Sequence, residues 1–253
     1  MRKSLALLAV LAAWPAAAGN SLLPGVKGDD DRITVDSTQA PWNAIGRLNK
    51  TVGGHCTATL VGPKSVLTAA HCLWNQRTRT YLPPESLHFV AGWAKGDYLA
   101  HAKAAAVFAA PGYRPGDKTA GNGAHDWALV TLEGDMGRRI APLEVLSMDA
   151  GRLGEIKGQG LRFTNAGYGQ DKAHVLTAHV GCRLDGFLAG TALVAHACDA
   201  VPGDSGSPIL VQEGKVYRIA AIHVATARRQ GAESVGLAVP SASFADKIKS
   251  ANR

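Results

Sequence analysis

The chain has 253 residues, of which 46% are hydrophobic, 19% charged and 6% aromatic, with 29 glycines. That balance excludes a disordered or fibrous chain, and many glycines beside few aromatics favour short strands and turns over a helical bundle. The formal charge of +7 becomes +5 without Arg2 and Lys3, leaving 25 basic residues against 20 acidic, with no adjacent basic run longer than a pair such as Arg228-Arg229; so mild an excess is no footprint for nucleic acid.

Along the chain, Arg2-Lys3 form a positive start, Leu5 to Ala13 is an unbroken apolar run, and Ala16-Ala17-Ala18 offers a small-residue cleavage site. Residues 1–18 therefore read as a secretory signal. Its apolar part, Leu5 to Ala18, is 14 residues long, short of the roughly 20 that a spanning helix needs. The mature protein is expected to be secreted or periplasmic, off the membrane, and monomeric. Residues 19–32 collect turn formers and an acidic run, as in a propeptide or N-terminal arm.

Short apolar runs broken by Gly, Pro and polar clusters follow. They predict strands at 44–48, 56–60, 65–68, 88–91, 102–108 and 127–132, then at 162–167, 179–184, 193–196, 208–211, 216–223 and 236–239. No strand–helix alternation appears, so the expectation is an all-β fold. The Gly- and charge-rich stretch from Pro142 to Lys157 is expected to join two halves, 33–145 and 146–253. A helical turn is expected over His71–Arg77, and a short C-terminal helix over Ser241–Ser250, with Ser241 as its cap and Phe244 and Ile248 on one face.

Export bears on the cysteines. Cys56 and Cys72 are 16 apart, as are Cys182 and Cys198. In an oxidising compartment two local disulfides are the natural pairing, although three connectivities are possible. A zinc site from His55, Cys56, His71 and Cys72 does not match common ligand spacings, and no metal or cofactor is expected.

Three segments carry chemistry: Thr68-Ala69-Ala70-His71-Cys72, Asp126-Trp127-Ala128-Leu129-Val130 and Gly203-Asp204-Ser205-Gly206-Ser207-Pro208. A serine hydroxyl becomes a nucleophile when an imidazole takes its proton, and a buried carboxylate holds that imidazole in the useful tautomer. Asp126, with its apolar neighbours, reads as such a carboxylate. The other seven histidines, apart from His223 discussed below, are expected to be solvated or core residues.

These segments, in the order His–Asp–Ser, with a cysteine 16 residues before Cys72, resemble the chymotrypsin and trypsin family from about Ile33 onward. The resemblance implies two packed six-stranded antiparallel β-barrels, endopeptidase action on proteins or peptides, and no cofactor. It makes Ser205 the nucleophile, His71 the base and Asp126 its orienter, with Gly203 and Ser205 N–H as the oxyanion hole. Gly203 is expected to need close backbone approach, and Gly206 to leave room for the acyl group.

The resemblance divides on specificity. Asp199, six residues before Ser205, matches the aspartate that draws Arg or Lys into a trypsin-like pocket, and Gly236 the glycine that keeps it open. However, Ser205-Gly206-Ser207-Pro208 and Ile222-His223-Val224-Ala225 look closer to bacterial glutamyl endopeptidases, where a histidine at the His223 position binds an acidic side chain. Cys198 also adjoins Asp199 instead of following it by two. Cleavage after Arg or Lys is the expectation and cleavage after acidic residues the alternative; a non-catalytic binding protein on the same barrels is the rival class. Asp29-Asp30-Asp31-Arg32-Ile33 resembles a zymogen junction, with cleavage after Arg32 sending the Ile33 amine to Asp204.

Overall fold

The computed structural model describes residues 23–227 and 234–253. The expected signal, residues 19–22 of the arm, and Arg228-Arg229 lie outside the described residues.

Alternating side chains and turn-forming breaks give strands β1 (Arg32–Thr34), β2 (Ile45–Lys50), β3 (His55–Leu60), β4 (Ser65–Thr68), β5 (Trp74–Asn75), β6 (Thr80–Tyr81), β7 (Leu87–Ala91), β8 (Ala100–Ala109) and β9 (Ala128–Leu132). The second half adds β10 (Glu144–Val145), β11 (Phe163–Gly167), β12 (Thr177–Cys182), β13 (Leu184–Phe187), β14 (Val194–His196), β15 (Pro208–Glu213), β16 (Val216–Ala227) and β17 (Val235–Pro240). Each of the twelve expected strands overlaps one of these. The run 179–184 is split at Arg183 into β12 and β13.

In the first half β2-β3-β4-β9-β8-β7 close into a six-stranded barrel. Leu48, Ala58, Leu60, Leu67, Phe89 and Val130 are buried in its core. The second half is an open, rolled sheet in the order β1-β12-β11-β15-β16-β17-β14-β13, with β10 on β16. It is a half-barrel where a second closed barrel was expected, because no ladder joins its ends. A disulfide spans the opening one strand in from each edge: Cys182, at the end of β12, bonds Cys198, two residues past β14. Cys56 and Cys72 form the other disulfide. Each loop closure contributes ~3 kcal/mol.

The joining stretch contains a helix that composition hid. Asp149 accepts the Arg152 N–H at 2.8 Å, and Leu153 and Ile156 of Ala150–Gly158 are buried beneath it. Gly151, Gly154 and Gly158 dilute its propensity, and burial of one face offsets that. At the C-terminus Ser241–Ser243 form a 3-10 turn and Ala245–Ala251 the helix. Ser241 is not its cap: the hydroxyl accepts Met148 N–H and donates to Leu146 C=O, tying the chain end to the linker. The turn expected from His71 is a 3-10 helix, Ala70–Leu73, that gives way at once to β5.

Candidate active site

His71 sits on the 3-10 turn that leaves β4, and the Cys56–Cys72 disulfide ties the adjoining residue back to β3. Asp126 lies two residues before β9 and is only 7% exposed. Its carboxylate holds His71 twice: Oδ2 lies 2.7 Å from Nδ1, and Oδ1 accepts the His71 backbone N–H at 2.8 Å. With a carboxylate on Nδ1, the proton belongs there and Nε2 keeps its lone pair, the tautomer a general base needs.

Ser205 comes from the loop before β15. Gly203 has φ +102°, and a Cβ there would lie 2.5 Å from Tyr168 C=O, so only glycine fits the turn. The Asp204 N–H turns inward to Val201 C=O at 3.0 Å and the Gly206 N–H to His223 C=O at 2.8 Å. Among the described residues no protein acceptor takes the Gly203 or Ser205 N–H. A Cβ on Gly206 would meet Thr57 C=O at 2.4 Å and the Ala69 nitrogen at 2.8 Å, so its smallness seats the loop against the barrel.

Thr57, which the sequence did not single out, joins the halves. Its N–H donates to Ser205 C=O at 3.0 Å, its hydroxyl to Gly203 C=O at 3.0 Å, and that hydroxyl accepts the Tyr168 N–H. Thr68, three residues before His71, donates to Thr57 C=O at 2.8 Å. The hydroxyl loop and the imidazole are thereby brought to one seam. His71 and Asp126 line one groove and Ser205 and His223 an adjoining cavity of about 340 Å³, with Val224, Ala225 and Thr226 in both walls. His71 Nε2 and Ser205 Oγ are not hydrogen-bonded to each other here; such bonds commonly tighten only with substrate in place.

The expected specificity residues divide. His223 is 4% exposed and lines the Ser205 cavity. Its Nδ1 lies 3.0 Å from Nε2 of the fully buried His196, leaving its own Nε2 as the other polar atom. Burial, then the charges of Lys27 and His71, push His223 down to about 3. Gly236 is opposite His196, and a Cβ would overlap that imidazole at 2.1 Å; its role is to admit the ring. Val224 falls at the bulge between His223 and Ala225 in the β16–β17 ladder.

Asp199 is not the cavity floor. It is fully buried and turned to the N-terminal arm, accepting the N–H groups of Lys27 at 2.8 Å and Asp31 at 3.1 Å, with His179 Nδ1 3.2 Å away.

The expected zymogen junction is folded into the sheet of the uncleaved chain. Arg32 is buried in ion pairs with Asp30 at 2.8 Å and Asp171 at 2.7 Å, and Ile33 is 56% exposed on β1, paired with Ala178. An arginine so enclosed is poorly presented to an activating peptidase, and in the uncleaved chain the Ile33 nitrogen is a backbone amide on β1 with no amine to offer Asp204. Asp204 is instead anchored by the Val201 N–H at 2.8 Å, while its Oδ1 lacks a partner. Burial raises its carboxyl to about 7. The Cys56, His71 and Cys72 side chains are close together, but their sulfurs are joined in the disulfide and are no thiolates for a metal.

No described helix is long and apolar enough to cross a membrane. A glutamyl endopeptidase of Bacillus licheniformis (strain ATCC 14580) is 27% identical over 201 residues, 78% of this chain and 58% of the relative, so the chain spans under two thirds of that protein. A solved structure titled "Structure of Glu endopeptidase in complex with MPD" has the same fold, with TM-score 0.71 over 90% of this chain and 99% of that one at 24% identity. The family model described as Trypsin matches residues 32–248, and the chain belongs to that family.

Proposed function

We propose that this protein is an exported serine endopeptidase that cleaves proteins or peptides after acidic residues, glutamate first, through an acyl-enzyme. One observation carries the specificity: the cavity beside Ser205 offers the His223 imidazole, and the Asp199 carboxylate is withdrawn from it. An arginine or lysine side chain entering that cavity finds no carboxylate; a glutamate finds a hydrogen-bonding imidazole backed by His196. The name of the Bacillus relative agrees. Two disulfides suit an oxidising compartment.

In the proposed reaction Ser205 Oγ attacks the carbonyl carbon as His71 Nε2 takes its proton. The oxyanion receives hydrogen bonds from the Gly203 and Ser205 N–H groups. His71 then protonates the leaving amine, and the acyl-enzyme is released by water that His71 deprotonates. Asp126 stays ionised throughout and stabilises the imidazolium. Ser205→Ala tests this against a purely binding role: hydrolysis of glutamyl peptides must collapse, and hydrolysis that survives overturns the catalytic reading.

A further inference from the structure

His55 and Thr57 stand two apart on β3, on one side of the strand, and both reach the Tyr168 backbone. Thr57 Oγ1 accepts the Tyr168 N–H at 3.0 Å, and His55 Nε2 lies 2.7 Å from the Tyr168 C=O. His55 is buried, and its Nδ1 faces Arg47 Nη2 at 3.3 Å. A guanidinium only donates, so Nδ1 accepts and the ring proton sits on Nε2, aimed at the Tyr168 C=O. Arg47 is itself fixed: Nη1 donates to Ala173 C=O at 2.9 Å, Nε donates to Asn49 Oδ1 at 3.1 Å, and the guanidinium lies over the Trp93 ring. Burial, with the charges of Arg47 and Lys50, holds His55 below the ordinary histidine range and keeps the ring neutral.

The segment that His55 holds sets the turn before Ser205. The Gln170 N–H donates to Pro202 C=O at 2.7 Å. The Pro202–Gly203 peptide unit is trans, so fixing its carbonyl turns the Gly203 N–H the opposite way, off that segment. Gly203 also packs on the same groups: a Cβ there would lie 2.5 Å from the Tyr168 carbonyl oxygen, 2.9 Å from the Gln170 nitrogen and 3.1 Å from His55 Nε2. A shift of the 168–170 backbone is therefore passed to the Pro202–Gly203 unit.

We propose that His55 is a positioning residue for the oxyanion hole: its Nε2–H holds the Tyr168 carbonyl and, through Gln170 and Pro202, sets the direction of the Gly203 N–H toward the developing oxyanion. His55 acts through the loop and not on substrate. This rests on the serine-endopeptidase reading above and is independent of which residue the cavity prefers.

The test compares wild type, His55→Leu, His55→Met and His55→Gln on the peptide that wild type cleaves best. Rates are taken per active site titrated to completion with a serine-directed phosphonate, which counts only folded sites. His55→Leu and His55→Met fill the space without a donor; in His55→Gln an amide restores one near the Nε2 position. Two inhibitors built on that peptide separate positioning from binding: its trifluoromethyl ketone, whose Ser205 adduct carries an oxyanion, and the matched alcohol, which forms no adduct. kcat is expected to fall about tenfold or more in His55→Leu and His55→Met with KM within about threefold, and His55→Gln to stay within about threefold of wild type. Ki for the ketone should rise as kcat falls, while Ki for the alcohol stays within about threefold. Unchanged kcat in both His55→Leu and His55→Met, a loss that His55→Gln shares, or equal weakening of both inhibitors overturns the role of His55 and leaves the enzyme reading standing. A wild type that hydrolyses no peptide, or whose hydrolysis survives Ser205→Ala, overturns the serine reading, and the role of His55 falls with it.

Discussion

Thr57 and Ser205 come from different halves of the molecule, yet the Thr57 N–H donates to the Ser205 carbonyl at 3.0 Å while its hydroxyl reaches Gly203 two residues earlier. The Ser205 loop is therefore positioned by the barrel that carries His71. Thr57→Val keeps the shape and removes the hydroxyl, leaving Gly203 C=O and Tyr168 N–H unpaired in a buried seam. The expected cost is about 1–3 kcal/mol of stability. A fall in kcat of about tenfold or more, with little change in KM, should accompany it. Steady-state kinetics beside urea unfolding check both, and unchanged kcat contradicts a positioning role.

Asp126 grips both the ring and the backbone of His71. Asp126→Asn preserves volume but offers an amide that favours the wrong tautomer. A loss of about 10⁴ in kcat is expected near neutral pH. Peptide hydrolysis by active-site-titrated enzyme measures it; a loss below tenfold contradicts the assignment of Asp126 as orienter.

The chemistry was far more legible in the sequence than the specificity. His71, Asp126 and Ser205 stand in motifs whose local turns fix them: a 3-10 turn after β4 for His71, and a positive-φ glycine on either side of Ser205. Asp199 was misread because its role depends on where its carboxylate turns, and that is decided by amides 168 and 172 residues earlier. Thr57 and His196 carry no local pattern either. Each acquires its role from a partner distant in the chain, which periodicity and spacing do not encode. Helix Ala150–Gly158 was hidden by its three glycines, and the closure of the second sheet was over-expected because strand runs do not reveal which edges pair.

Arg32 is a structural residue in this account. Arg32→Gln takes the ion-pair partner from Asp171, while Asp30 keeps Lys172 at 2.9 Å, and about 1–3 kcal/mol of stability should be lost. Hydrogen bonding to Arg32 is also the chief reason Asp30 titrates well below the ordinary carboxylate range. N-terminal sequencing of active enzyme should find the 32–33 bond intact. A uniform start at Ile33 contradicts this and restores the zymogen junction.

Asp204 gives a pH signature of definite sign. Its folded pKa of about 7 stands above the ordinary 3.8, so the folded state holds the proton more tightly than the unfolded chain. Its contribution is fully favourable below about pH 4 and is lost as pH rises through about 7. Asp204→Asn lacks that loss. Urea midpoints from pH 4 to 8 should show the variant gaining on wild type by up to a few kcal/mol, then levelling above about pH 7. A difference that is flat with pH contradicts the buried, half-satisfied carboxyl.

Cleavage of a mixed peptide library, with products sequenced and Ser205→Ala run in parallel, most directly tests the claim that His223 and not Asp199 faces the substrate. New termini should follow glutamate, with aspartate behind it, and should vanish with Ser205→Ala. Cuts after arginine or lysine in the wild type contradict the withdrawn Asp199 and the account built on it.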